Sequence, residues 1–452
     1  MTQHTEQPDP SICLYGEQTR LALENFNISG QPFPPAFIHA LGLIKSCAAQ
    51  VNAGLGLLRP DMADAIADAA DQVAAGRHDE QFPLDVFQTG SGTSTNMNAN
   101  EVIATLAARS LGREVHANDD VNLGQSSNDV IPTAMHVSAV LQLGPLVKAL
   151  QQLEAAILIR AEQFGKTVKT GRTHLMDAVP ITLGQELSGW AAQLAANLAR
   201  LSEVQQRLLL LAQGGTAVGT GLNTHADFAT RFAACMAERT GLAFRSAPNK
   251  FAAISSQDTA VELSGQLRVT ALSLLKMATD LRWMNSGPTA GLHELQLPEM
   301  QAGSSIMPGK VNPVIPEAVG MACVQVIGLD AAIVTAAQDN RFQLMTMLPL
   351  LANNLLQQIG LLNAAAQSLQ TRVIARFEVD QEKLLERVRH NTMLVTALSP
   401  HIGYDLAAQI AHAAIGQQRP VIDVAREMTA LSDDELKLLL DPGRMARPHS
   451  EG

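Results

Sequence analysis

Apolar residues recur at helical spacing over long stretches of this chain. Leu146, Leu150, Leu153 and Ile157 are separated by 4, 3 and 4 positions, the interval that stacks side chains on one helix face. Leu187, Trp190, Leu194, Leu198, Leu201, Val204 and Leu208 carry the same rhythm for about six turns. Positions 261–283, 317–336 and 349–375 predict three more long helices. Strand-like alternation is scarce, so the pattern predicts an all-α chain built on an extended central bundle. Three regions follow. Residues 1–138 are mainly helical, with helices over 35–58, 62–75 and 102–111 and a Gly/Ser/Thr/Asn-rich segment, QTGSGTSTNMNANE, before the last. Residues 139–388 hold the long helices. Residues 389–452 form a small turn-rich region with a helix near 406–415, an acidic-to-apolar stretch over 431–440 and a polar tail expected to fray.

Composition sharpens this picture. Hydrophobic residues make up 46% and charged residues 17% of the chain, below the roughly 25% charge of an average soluble protein. Long helices so poor in charge are expected to be covered nearly all round, as in a bundle sealed by partner subunits. No uninterrupted apolar run approaches the ~18 residues of a bilayer span, so no membrane segment is expected. The first residues carry neither a basic start nor an apolar stretch, and a cytoplasmic location is the default. A net charge of −11 with no basic run argues against nucleic acid. It also requires that any anionic substrate be drawn in by local positive groups. Cys13, Cys47, Cys235 and Cys323 lie far apart with no CxxC pair and read as small hydrophobes in a reducing compartment. They offer no framework for a metal or iron–sulfur site.

The chemistry concentrates in polar segments between the helices. GSSIMPGKVNP (303–313) sets two hydroxyls, a Pro-Gly break, Lys310 and Asn312 on one short loop ahead of the helix near Glu317. Backbone N–H groups, Lys310 and Asn312 suit developing negative charge on a carboxylate. An ordinary flexible loop has the same composition. Ser91, Thr93 and Asn96 offer neutral donors for carboxylate oxygens, or a capped polar turn. Ser126, Ser127 and Asn128 read similarly, or as a helix N-cap. Thr173 and His174 pair a hydroxyl with a side chain that titrates near neutrality, although a lone histidine is more often structural. Asp177 and Glu186 read as helix-surface or structural hydrogen-bonding groups.

GSSIMPGKVNP resembles the signature loop of the fumarase/aspartase superfamily. FQTGSGTSTNMNANEV (87–102), NLGQSSND (122–129), GRTHLMDAVPITLGQE (171–186), GGTAVGTGLNTH (214–225), APNK (247–250) and SPHIGYD (399–405) resemble further segments of that family in its order. The resemblance implies a three-region subunit whose central helices join in a homotetrameric bundle, with each active site shared by three subunits. It implies a small dicarboxylate substrate and no cofactor or metal. Ser304 matches the family's catalytic base, forming an aci-carboxylate intermediate. Lys310, Asn312 and loop amides would hold the charge that develops. Ser91, Thr93, Ser126, Ser127, Asn128 and Thr173 would orient the substrate carboxylates, and His174 with Glu317 would polarise a water. Arg113, His116 and Asn118, in REVHAND (113–119), match a second, peripheral anion site.

The added molecule is read as water, by GSGT, QSSND, VELSG and LVTALSPHIGYD. Ammonia is the alternative, because LPEMQAGSS, NPVIPEA and TSTNMN are aspartase-like and Gln257 stands where fumarases often carry histidine. A non-catalytic relative is a further alternative, disfavoured because Ser304, Lys310, Asn312, Thr173, His174 and Glu317 are all present.

Overall fold

A computed structural model describes residues 13–447. The twelve N-terminal residues, on which the reading of the chain start rested, lie outside that range, as do the last five of the tail. Among the described residues the secondary structure is helical, apart from three two-stranded sheets. The residues cluster into two compact units. The first takes the chain up to Lys148, with Asn197–Ala271 and Ala322–Asn363. The second takes Ala149–Ala196, Leu272–Met321 and the chain from Ala364 onward. This grouping is not sequential. One helix passes through residue 138 without a break, so the division into 1–138 and 139–388 is not visible as a change of element.

The first unit opens with α1 (Glu17–Asn25), α2 (Pro35–Gly54), α3 (Pro60–Ala74) and α4 (Thr93–Leu111). Prolines at the first helical position start α2 and α3, where no backbone donor is lost. α2 buries Phe37, Leu41, Ile44 and Cys47 completely, and α3 supplies small Ala faces that let the two helices approach. The segment expected to stay irregular is already helical from Thr93. Gly92, at φ 72°, makes the left-handed entry, and Asn96, Asn98 and Asn100 are buried on the helix rather than solvated in a loop. The long helices follow as α5 (Ser127–Gln163), α6 (Leu183–Leu208), α7 (Phe228–Thr240), α8 (Lys250–Ser255), α9 (Asp258–Met284), α10 (Val314–Ala336) and α11 (Leu348–Leu369).

Within the first unit, Asp330 of α10 is buried and accepts from Ser264 and Arg268 of α9, each at 2.6 Å. Gln358 of α11 donates to the Val326 carbonyl at 3.0 Å. The cysteines are not as scattered as their spacing suggests, because Cys47 and Cys235 bring their sulfurs to 2.8 Å between α2 and α7.

The second unit carries an antiparallel hairpin, β1 (Val168–Thr173) and β2 (Met176–Thr182). Its C-terminal part runs through α12 (Gln381–Arg389), α13 (Ser399–Ile402), α14 (Tyr404–Gln417), α15 (Val421–Met428), α16 (Asp433–Leu439) and α17 (Pro442–Met445). Val388, Leu398, Ile410, Val424 and Leu436 form its own core. A capping box between Ser432 and Glu435 starts α16. Beyond it the chain does not fray at once, since Asp441 caps α17.

Two helices, Ser127–Gln163 and Val314–Asp339, are long and apolar enough to cross a bilayer by length and composition. A search for uninterrupted apolar runs passes over both. In the first, 67% of the most apolar window is buried inside the chain, but in the second only 28%. Met321, Val324 and Val334 of α10 are exposed.

Candidate active site

Ser126, Ser127 and Asn128 come together at the start of α5 in the first unit, pinned from beneath by Asp129. That carboxylate is wholly buried. It accepts the Ser126 N–H at 2.9 Å on one oxygen, and the Gly214 and Thr216 N–H groups at 2.9 Å on the other. Burial pushes its pKa up to about 6, against the pull of these donors and of the Lys45 charge. Asn128 donates to the Ala217 carbonyl at 2.8 Å, so three hydrogen bonds tie the glycine-rich 214–225 segment to this turn. Lys250, from the APNK segment, donates to the Leu211 carbonyl at 2.7 Å. Gln257, where the family often has histidine, is buried and donates to the Ala253 carbonyl.

The hydroxyls here are arranged as donors. Ser126 Oγ accepts the Asn128 N–H at 3.2 Å, and Ser127 Oγ accepts Asn96 Nδ2 at 3.1 Å. Each keeps its own hydrogen for a further acceptor, and an ionised carboxylate is acceptor-only. Ser91 and Thr93 share one hydrogen bond of 2.7 Å at the entry to α4, which leaves one hydroxyl hydrogen between them. Asn96 departs from its reading as a substrate donor. It is 1% exposed and spends its amide on Asn122 and Ser127, behind the cradle rather than in it.

The second unit holds the other groups. The 303–313 loop is clasped at its neck, where Gly303 N–H donates to the Lys310 carbonyl at 3.0 Å and Asn312 Nδ2 to the Gly303 carbonyl at 2.8 Å. Ser304 Oγ accepts the N–H groups of Ile306 at 3.2 Å and Met307 at 3.1 Å. Two donors aimed at a hydroxyl oxygen stabilise its alkoxide form over the hydroxyl. Ser304 is half-buried, while residues 305–310 are exposed. Lys310, Asn312 and Glu317 line a cavity of about 620 Å³ together with Arg282, Trp283 and His293. Those last three escaped the sequence reading, since they sit at and beyond the end of α9 in a stretch with no motif. The Arg282-Trp283 pair at the helix end is the signal that was available.

Gly303 has no room for a side chain. A Cβ there would stand 2.2 Å from the Lys310 carbonyl oxygen, a backbone atom that cannot swing aside. Gly303→Ala is therefore expected to open the clasp and cut kcat/KM by about a hundredfold or more, the penalty of misplacing catalytic groups by an ångström. The melting temperature should stay near wild type because the loop is at the surface. Steady-state kinetics with parallel thermal unfolding checks both, and an alanine variant within a few-fold of wild type would show that the clasp is dispensable.

Thr173 and His174 stand at the tip of the β1–β2 hairpin. Thr173 pairs with Met176 across a two-residue turn in which His174 has φ 56° and Leu175 φ 60°. Such turns favour Asn-Gly, so two bulky residues here hold a strained backbone. The hairpin is anchored at its base. Lys169, 2% exposed at its side chain, lies between Glu186 and Glu294, and Arg172 pairs with Glu294 at 2.6 Å. Glu186 thus has the structural role expected of it. Asn391 clasps the Ala178 carbonyl at 2.8 Å. His174, Leu175, Met176 and Asp177 are exposed. Among the described residues, no hydrogen bond joins His174 to Glu317 within the chain.

The residues matched to a second anion site are committed locally. Arg113 pairs with Asp61 at 2.7 Å, His116 Nδ1 accepts the Asp119 N–H at 3.0 Å, and Asn118 lies in the π-helical turn Ala117–Val121.

Comparison with known proteins places this architecture. The profile of the family described as "Lyase" matches residues 6–328, and that described as "Fumarase C C-terminus" matches 394–447. The chain is 53% identical over 437 residues to proteins named fumarate hydratase class II from Xylella fastidiosa and fumarate hydratase class II 2 from Pseudomonas aeruginosa. The matches cover 96% of this chain and 92% and 95% of those proteins. The crystal structure of a recombinant class II fumarase from Schistosoma mansoni superposes with a TM-score of 0.95 at 37% identity, covering 98% of this chain and 97% of that one. An all-α subunit, near-complete coverage on both sides and both family profiles agree, and the chain belongs to the class II fumarate hydratase family of lyases.

Proposed function

We propose that this protein is a fumarate hydratase, interconverting fumarate and (S)-malate by addition and removal of water. One observation carries the chemistry: the clasped 303–313 loop aims two backbone N–H groups at Ser304 Oγ and holds Lys310 and Asn312 beside it. In the dehydrating direction, Ser304 takes the proton from the carbon next to a substrate carboxylate. The electron pair moves into that carboxylate, giving an aci-carboxylate whose added charge meets Lys310, the second Asn312 amide hydrogen and loop amides. The C–O bond on the neighbouring carbon then breaks. The departing hydroxide takes a proton through water polarised by His174 and Glu317, and the double bond forms. Ser91, Thr93, Ser126, Ser127, Asn128 and Thr173 present the donors that orient the two carboxylates. Water is favoured over ammonia because relatives named fumarate hydratase share about half of their residues with this chain over nearly its whole length.

The complete site draws these groups from three copies in a homotetramer. The exposed apolar face of α10 and the exposed hairpin tip of Leu175 and Met176 support that arrangement, since contiguous apolar surface of this kind marks an interface. A cytoplasmic setting fits such an enzyme.

Purified protein is expected to consume fumarate in ammonia-free buffer and yield malate, identified by chromatography. Consumption that requires ammonium and yields aspartate would establish the ammonia-lyase reading instead.

A further inference from the structure

Lys45 is the one lysine of α2, and it is 0% exposed. Burying an ammonium is costly, and a methionine would fill the same space without that cost. Its contacts lead toward the substrate cradle. Nζ donates to Asn122 Oδ1 at 2.8 Å and to Gln125 Oε1 at 3.1 Å. Asn122 Oδ1 also accepts Asn96 Nδ2 at 3.3 Å, and the same Nδ2 donates to Ser127 Oγ at 3.1 Å. Asn122 Nδ2 is held by the Gln125 carbonyl at 3.2 Å.

Each step in this chain has one direction. Burial lowers the Lys45 pKa to about 7, against the pull of the Asp129 charge. The ammonium gives hydrogens and accepts none, and the neutral amine still has a hydrogen for each of its two oxygen partners, so the face of Asn122 toward Lys45 is its oxygen. That oxygen obliges Asn96 to present its nitrogen. The Asn96 nitrogen obliges Ser127 Oγ to accept, and the Ser127 hydrogen is left to point elsewhere. The arrangement has a visible cost, because Asn96 Oδ1 is buried with no hydrogen-bond partner. If the Asn96 amide were reversed, that oxygen would accept the Ser127 hydrogen and be satisfied.

We infer that Lys45 is a positioning residue which, through Asn122 and Asn96, fixes the Ser127 hydroxyl as a donor to the substrate carboxylate. This rests on the reading of Ser127 as part of the cradle. Without Lys45, only the Gln125 carbonyl holds the Asn122 amide, and Asn122 and Asn96 lose the cation that fixes which way they face. Ser127 then donates inward, and the cradle meets a carboxylate with an oxygen lone pair instead of a hydrogen.

A double-mutant cycle on the full-length protein tests it, with KM and kcat for fumarate measured for Lys45→Met, Ser127→Ala and the pair. Lys45→Met is expected to raise KM roughly tenfold to a hundredfold, the loss of one hydrogen bond to a charged acceptor, with a smaller change in kcat. In the Ser127→Ala background it should raise KM no further, because its effect runs through that hydroxyl. A Lys45→Met effect that multiplies with Ser127→Ala, or that falls on kcat alone, overturns the inference. If Ser127→Ala itself leaves KM unchanged, the cradle reading fails instead. Should Lys45→Met not fold, Asn96→Leu cuts the same relay while leaving the buried cation with Asn122 and Gln125. The same KM rise and non-additivity are expected, and an unchanged KM would overturn the proposal.

Discussion

Replacing Ser304 with alanine is expected to lower kcat by roughly 10²–10⁴-fold, the range for losing a positioned general base, while KM for malate changes little. The hydroxyl is asked to act on a proton that moves only in the transition state, and an interaction made only there appears in kcat and kcat/KM together. The geometry singles out this serine over its neighbour. Ser304 Oγ receives two backbone N–H groups and is half-buried, whereas Ser305 is exposed and has no such donors among the described residues. Ser305→Ala should therefore stay within a few-fold of wild type. Folding should be unaffected in both variants, because the N–H groups freed in Ser304→Ala sit on an exposed loop that water reaches. Steady-state kinetics of the two variants checks this. An active Ser304→Ala beside an inactive Ser305→Ala would move the base by one residue.

The helices of this chain were legible because their apolar faces repeat at one period over many turns, and α9, α10 and α11 lie within a few residues of their predicted spans. Where the pattern misled, a tertiary partner overrode local composition. The segment 93–101 looks like a loop because it is rich in Thr and Asn, yet Asn96, Asn98 and Asn100 are buried on α4, where Asn98 donates to the Gln81 carbonyl. The hairpin that carries His174 gave no strand signal, since its turn uses His174 and Leu175 at positive φ where Asn-Gly is the recognisable sequence. Lys45 was invisible for another reason: one lysine in an amphipathic helix reads as solvated, and only the fold reveals that it is enclosed. The candidate site divides the same way. Hydroxyl, amide and cationic groups could be picked out by chemistry. Which serine receives backbone donors, and that Asn96 stands behind Ser127, required coordinates. The joining of His174 with Glu317 came from family resemblance, and the chain by itself does not form it.

The second large effect concerns α10. If α10 packs in the proposed tetramer, Val324→Asp is expected to break that assembly and to lower activity by about three orders of magnitude, since it would bury an unpaired carboxylate in every copy of the contact. Between Val314 and Ala336 the helix carries only Glu317 and Asp330, and Asp330 is already engaged by Ser264 and Arg268. Its exposed face, with Met321 at 69% and Val324 at 60% exposure, thus carries no charge beyond Glu317 at its start. The buried residues of the subunit are untouched by this substitution, so helical content should survive while the elution volume moves to a smaller species. A fully assembled, active Val324→Asp protein would show that this face is not the contact. Loss of assembly alone leaves open why activity needs it, and complementation answers that. Ser304→Ala and His174→Asn are each expected to be nearly inactive. Coexpressed, they form mixed assemblies in which some sites take an intact Ser304 from one copy and an intact His174 from another. Random mixing makes such sites about a quarter of the total in a closed symmetric oligomer, so activity should return to about a quarter of wild type. If both residues were needed from the same copy, no intact site would arise and the mixture would stay as inactive as its parents.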